Sequence, residues 1–193
     1  MFGWSEKKRD PKGQKSPKPE TQVYGTPTVN FDPTKVTETV KTDLKQNIKS
    51  LNEVGAGDFD RIYDAALHSI SAGRALHILY QALVIIEGMG TRRAEDISRS
   101  LNNKATALIQ AEEQERLGIK YATWLYSGAP CGGAEQDAAH KAVNGKPYPV
   151  NKGMVLNGRW TRPGYEESCK CVSKSMIVGF DGYLGGRPKG IVE

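Results

Sequence analysis

The chain has 193 residues, of which 38% are hydrophobic, with 21 glycines and 10 prolines. That balance excludes a large continuous core and leaves a modest one within about residues 31–180, wrapped in much turn and loop. The net charge of +5 favours acidic partners such as nucleic acid, an acidic protein surface or an anionic membrane, without choosing among them.

Residues 1–30 read as a basic, proline-rich arm. Lys7, Lys8, Arg9, Lys12, Lys15 and Lys18 outnumber the acidic residues there, and Pro11, Pro17, Pro19 and Pro27 oppose helix and sheet. Phe2 and Trp4 are the apolar anchors such an arm would use on a partner. A first helix is expected from Asp32, a good N-cap, with Pro33 at the first helical position. Its stripe is Val36, Val40, Leu44, Ile48 and Leu51, and Gly55 and Gly57 end it. A second helical stretch is expected over residues 58–87, with Gly73 as the point of a break or kink. Gly88-Met89-Gly90 reads as a turn, and a third helix follows over 91–117, stopped by Gly118.

After Gly118 the hydrophobic period changes. Residues 119–126 alternate β-branched and aromatic residues in the manner of a strand. Further short strands are expected near 143–150, 154–160 and 170–180, with a short helix over 134–142. Residues 182–193 read as a second tail. The fold class is therefore α+β: a helical region over 31–118 and a small β-rich module over 119–181, with a tail at each end.

No apolar stretch of signal-peptide type opens the chain, and its longest apolar run, residues 82–86, is far too short to span a bilayer. The expectation is a soluble protein made in a reducing cytosol, without membrane association. Three cysteines cannot all pair with one another, which speaks against a disulfide scaffold.

All three cysteines fall between residues 131 and 171, with His140 among them: Cys131, eight residues, His140, twenty-eight residues, Cys169, one residue, Cys171. Three thiolates and an imidazole make a tetrahedral ligand set for zinc. The module has little apolar material of its own, and zinc binding supplies ~10 kcal/mol or more to small units of this kind. Alternate residues of an extended chain point the same way, so Cys169 and Cys171 can face one ion. Gly132 and Gly133 let the backbone bend closely past it. The spacing is not that of a common zinc finger, and the other reading is of buried thiols that bind no metal. His68 and His77 fall in the second helical stretch and read as helix-surface or interface residues rather than ligands.

Catalytic patterns are missing. His140 is followed by Lys141 and Ala142 rather than by the Glu of a zinc deaminase. There is no His-Glu-x-x-His, no phosphate-binding loop and no Gly-x-Ser-x-Gly. A nuclease of the His-Asn-His type would want further histidines in this half of the chain. Glu112, Glu113 and Glu115 read as the solvated face of the third helix.

Residues 92–180, about half the chain, resemble the phage Mu F-like family of minor head, or head morphogenesis, proteins. The likeness begins with residues 93–100, similar to the helix before that family's core strand. It continues through Leu117-Gly118-Ile119-Lys120-Tyr121-Ala122-Thr123-Trp124 and Ser127-Gly128-Ala129-Pro130-Cys131. Asp137 and His140 then precede Asn144-Gly145-Lys146, and Cys169-Lys170-Cys171 matches the closing Cys-x-Cys, with Pro163 six residues ahead. Many relatives carry a second cysteine soon after the first; here Gly132, Gly133 and Ala134 stand there, and His140 would replace it as a ligand.

The resemblance implies a structural component of the virion, assembled in the bacterial host cytoplasm. Such a protein associates with the portal protein and the major capsid protein, in several copies per particle, and acts by binding rather than as an enzyme. Contact with DNA is the alternative expectation. The arm, together with Lys141, Lys146, Lys152, Arg159 and Arg162 interleaved with Tyr148 and Trp160, would then hold phosphate and stack bases.

Overall fold

A computed structural model describes residue 34 and residues 36–191. The basic arm, with Phe2 and Trp4, lies outside the described residues, as do Asp32 and Pro33. The element order is α1 (Glu38–Lys49), α2 (Phe59–Ser71), α3 (Leu76–Glu87), α4 (Thr91–Arg116), β1 (Tyr121–Leu125), α5 (Ala134–Ala142), β2 (Pro147–Pro149), β3 (Met154–Leu156), β4 (Arg159–Thr161) and β5 (Val172–Ser175). Helices come first and small sheets follow, so the fold class is α+β.

The first helix starts later than its sequence suggested. Thr37, not Asp32, caps α1: its hydroxyl accepts the Val40 N–H at 3.3 Å and donates to Glu112 on α4 at 2.8 Å. The stripe itself is as read. Val36, Val40, Leu44 and Ile48 are buried, and Leu51 packs on the same cluster. The stretch 58–87 is two helices. Gly73 and Arg74 both take positive φ, 75° and 68°, and the chain reverses there between α2 and α3. Gly88 ends α3 in the left-handed conformation.

Helices α1 to α4 enclose one apolar cluster centred on Ile48, Ile62, Leu79 and Leu83, with Ala94, Ile97, Leu101 and Ala105 from α4. One polar link crosses it. Asn102 donates to Ser69 Oγ at 3.1 Å and to the Ser98 carbonyl at 2.9 Å, so the buried amide and hydroxyl satisfy each other.

The 26 residues of α4 run past this cluster into a second one, where Ala111 meets Ala122, Trp124, Cys131, Val143, Tyr148, Val150, Leu156, Cys169 and Cys171. The tie is also polar: Gln114 donates to the hydroxyls of Ser173 and Ser175, and Gln110 to the Ser173 carbonyl. The central sheet has the order β2-β1-β5, antiparallel throughout. Pro147 and Pro149 fit β2 because it is an edge strand, where missing N–H donors cost no ladder bond. In β1, Ala122 and Trp124 face the core while Tyr121, Thr123 and Leu125 are half-buried, as alternation requires.

The expected strand over 154–160 is instead a hairpin. Asn157 and Gly158 both have positive φ, 50° and 75°, and join β3 to β4 in the manner of a two-residue turn. Leu156 and Thr161 point inward, whereas the cross-strand pair Val155 and Trp160 is exposed.

Candidate metal centre

The four candidate ligand side chains are positioned by three pieces of backbone. Cys131 ends the loop after β1. Its N–H donates to Asp137 Oδ1 at 2.9 Å, and the same oxygen takes the Tyr126 hydroxyl at 2.7 Å, so α5 holds the loop in place. Lys141 adds an ion pair to Asp137 at 2.7 Å. The Lys141 ammonium, the Tyr126 hydroxyl and the Cys131 N–H together hold the Asp137 carboxyl down at about 2. Gly132 makes the bend with φ of 58°, and a Cβ there would run into the Gln136 side chain. Gly133 needs no such freedom; its backbone is extended as it starts α5. His140 lies in the last turn of α5, fully buried, and its ring makes a T-shaped contact with that of Trp124, 5.1 Å between centroids.

Cys169 and Cys171 come from the segment that turns into β5. Ser168 has φ of 55°, and the Cys169 N–H closes a turn on the Glu166 carbonyl at 3.0 Å. Both thiols are buried and the residue between them, Lys170, is exposed, so the two sulfurs share a face.

The four side chains meet. The Cys131 and Cys171 sulfurs are 3.7 Å apart, and His140 Nδ1 lies 3.5 Å from the Cys169 sulfur and 3.6 Å from that of Cys171. All four ligand atoms lie within 4.8 Å of one another, and all four residues are buried, so the group can hold a metal ion. Of the residues picked out in the sequence for metal, Cys131, His140, Cys169 and Cys171 are therefore all brought together. His68 and His77 stand apart from them, exposed on α2 and α3.

The surroundings favour charged sulfur at specific points. The Lys170 N–H donates to the Cys131 sulfur and the Gly164 N–H to the Cys169 sulfur, each at 3.3 Å. Without a metal the three thiols share protons unequally. Burial pushes Cys131 up. The contact with Cys171, reinforced by burial, pushes Cys169 far up, and the same contact lowers Cys171. The Trp124 indole N–H makes no regular hydrogen bond, yet it lies close enough to Cys171 to favour its thiolate. A cation among three such sulfurs would take the place of these protons.

One contact was not foreseen in the sequence. Glu166 Oε2 lies 3.0 Å from His140 Nε2. With Nδ1 directed at the sulfurs, a metal bound there would leave Nε2 to carry the proton and donate to this carboxylate, an arrangement that orients metal-binding imidazoles. Glu166 is three residues before Cys169 and has no local pattern that marks it; only the fold brings it to His140.

The basic patch is less suited to bases than its sequence suggested. Tyr148 is 3% exposed and packs against Trp124, so it offers no stacking face. The Arg162 guanidinium is bound to the carbonyls of Val150 and Asn151. Lys146, Lys152, Arg159 and Trp160 are exposed. The acidic run on α4 is not simply solvated either: Glu112 receives Thr37, and Glu113 pairs with Arg116 at 2.7 Å. No helix among the described residues is long and apolar enough to cross a membrane.

No family model, curated protein or solved structure matches this chain.

Proposed function

We propose that this chain is a non-enzymatic minor head protein of a phage, in which a structural zinc ion fastens the β-rich module to present binding surfaces for other head proteins. The observation that carries the reading is the closure of the ligand cluster. Four protein ligands fill a tetrahedral ion, leaving no position for a water or substrate, which is the arrangement of structural rather than catalytic zinc.

The distances support a tetrahedral ion of zinc's size. A regular tetrahedron with bonds of ~2.3 Å to sulfur and ~2.05 Å to nitrogen has S···S edges of about 3.8 Å and S···N edges of about 3.6 Å. Three of the six separations come close to these, 3.7 Å between two sulfurs and 3.5 Å and 3.6 Å from nitrogen to sulfur, and all six are within 4.8 Å. Thiolate and imidazole together also favour zinc over the hard cations calcium and magnesium.

The head-protein part of the proposal rests on the sequence resemblance, and the closed centre supports it by moving function from the metal to the surface. The partners are then the portal protein and the major capsid protein, in multiple copies per virion. Co-expression with each partner in a bacterial host, followed by affinity capture and by sedimentation of assembled heads, tests this. Recovery of the chain with the portal protein or with heads is expected; its absence from both would sink the reading.

A second reading has one specific observation behind it. Trp160 is 48% exposed beside the exposed Arg159 on the β3–β4 hairpin. Such a pair can stack a base and meet a phosphate. Quenching of tryptophan fluorescence by a single-stranded oligonucleotide, weakened by salt and lost in Trp160→Ala, would favour it. No binding at low salt removes it.

A further inference from the structure

We propose that the Trp124 indole N–H is the donor that holds the Cys171 sulfur as a metal-binding thiolate, which makes Trp124 a positioning residue of the centre; this rests on the structural-zinc reading. The three sulfurs are not equally supplied with donors. The Lys170 N–H points to the Cys131 sulfur and the Gly164 N–H to the Cys169 sulfur, each at 3.3 Å. Among the described residues no backbone N–H donates to the Cys171 sulfur, whose neighbours include the Cys131 sulfur and His140 Nδ1. Trp124 is the converse case. It is fully buried, and its Nε1 has no regular hydrogen-bond partner among the described residues, a costly state for a donor shut away from water. Two geometric facts bring donor and sulfur together. In the β1–β5 ladder Trp124 lies opposite Ser173. Cys171 is two residues before Ser173, so alternation puts it on the same face as Trp124, one diagonal step away and within reach of an aromatic side chain. The Trp124 ring also meets the His140 ring at 5.1 Å between centroids, and His140 Nδ1 is 3.6 Å from the Cys171 sulfur. Contact with Cys169 first, and the Trp124 indole after it, lower the Cys171 thiol against its burial.

Metal binding completes the match. A thiol sulfur is a weak acceptor, whereas a thiolate takes a charge-assisted hydrogen bond. Three thiolates carry one negative charge more than a divalent ion cancels, and a neutral imidazole removes none of it. In a buried site that excess needs hydrogen-bond donors aimed at sulfur. Lys170 and Gly164 supply two through the backbone, where any residue but proline would serve. Trp124 supplies the third through its side chain, so this one donor is set by residue type and can be removed without touching the backbone. Phenylalanine at this core position would leave the Cys171 sulfur without it.

Cobalt(II) substituted into the full chain reads the sulfurs directly, through the thiolate-to-metal charge-transfer band. Competition with a chromophoric chelator reads zinc affinity. Two variants are compared with the parent. One is Trp124→Phe. The other carries, at position 124 alone, the benzothienyl analogue of tryptophan, which keeps the ring shape and has sulfur in place of the N–H. Both are expected to move the band to lower energy, because a thiolate without its donor gives up electrons more easily, and to weaken zinc about tenfold. An analogue protein whose band stays at the parent's position overturns the inference, even where Trp124→Phe binds zinc less tightly, since that loss would come from packing alone. That result leaves the zinc reading standing. A parent protein that takes up neither zinc nor cobalt overturns both.

Discussion

Glu166 and His140 are joined at 3.0 Å through Nε2, on the side of the ring away from the cysteine sulfurs. The carboxylate fixes which nitrogen is free to bind a metal, and it adds electron density to the ring. Replacing such a partner costs ~10–100-fold in metal affinity. Glu166→Ala is expected to weaken zinc by that factor. Glu166→Gln should weaken it less, because an amide oxygen still accepts the N–H. Competition with a chromophoric chelator measures both. Equal affinity for all three proteins would mean that Glu166 does not orient His140.

Metal removal should act on one half of the molecule first. The two apolar clusters are distinct, and the centre lies in the second, where Cys131, Cys169 and Cys171 are themselves core residues. Chelation is expected to remove the near-ultraviolet signal of Trp124, which packs on His140, while most far-ultraviolet helix signal from α1 to α4 persists. A single concerted loss of both signals would show that the helices need the metal as well.

Gly153 gives a test of the hairpin that the metal module carries. Its φ is 87°, and a Cβ there would collide with the Thr161 carbonyl and crowd the Arg162 side chain. Gly153→Ala should cost roughly 2–4 kcal/mol of stability, combining backbone strain with the clash. Gly158, at φ 75° with open space around it, should cost only about 1 kcal/mol as Ala. Urea unfolding of the metal-bound protein compares the two. Equal losses would contradict the close packing of β3 and β4.

Much of this arrangement is legible in the residues themselves, for identifiable reasons. The stripe Val40, Leu44, Ile48 and the helix over 134–142 follow from periodicity, which is a local signal. The ligands stand out because cysteine and histidine are scarce in the chain and cluster late in it. The start of α1 was displaced because Thr37 gains a partner on α4, Glu112, that no local pattern reveals. The hairpin at Asn157-Gly158 did have a local signal, since both residues tolerate positive φ, but its two strands are only three residues each. Glu166 is the part that sequence cannot supply. Its role depends on the turn at 163–169 bringing a carboxylate up to α5. Tyr148, read as a stacking surface, is buried because alternation in β2 turns it under the sheet toward Trp124.

The central claim is that Cys131, His140, Cys169 and Cys171 hold one zinc ion. Elemental analysis of protein purified without chelator measures it directly, with Cys169→Ser and Cys171→Ser alongside. The account predicts about one zinc per chain in the parent protein and strong depletion in both variants. A parent protein that carries no zinc, and takes up none when it is supplied, would contradict it.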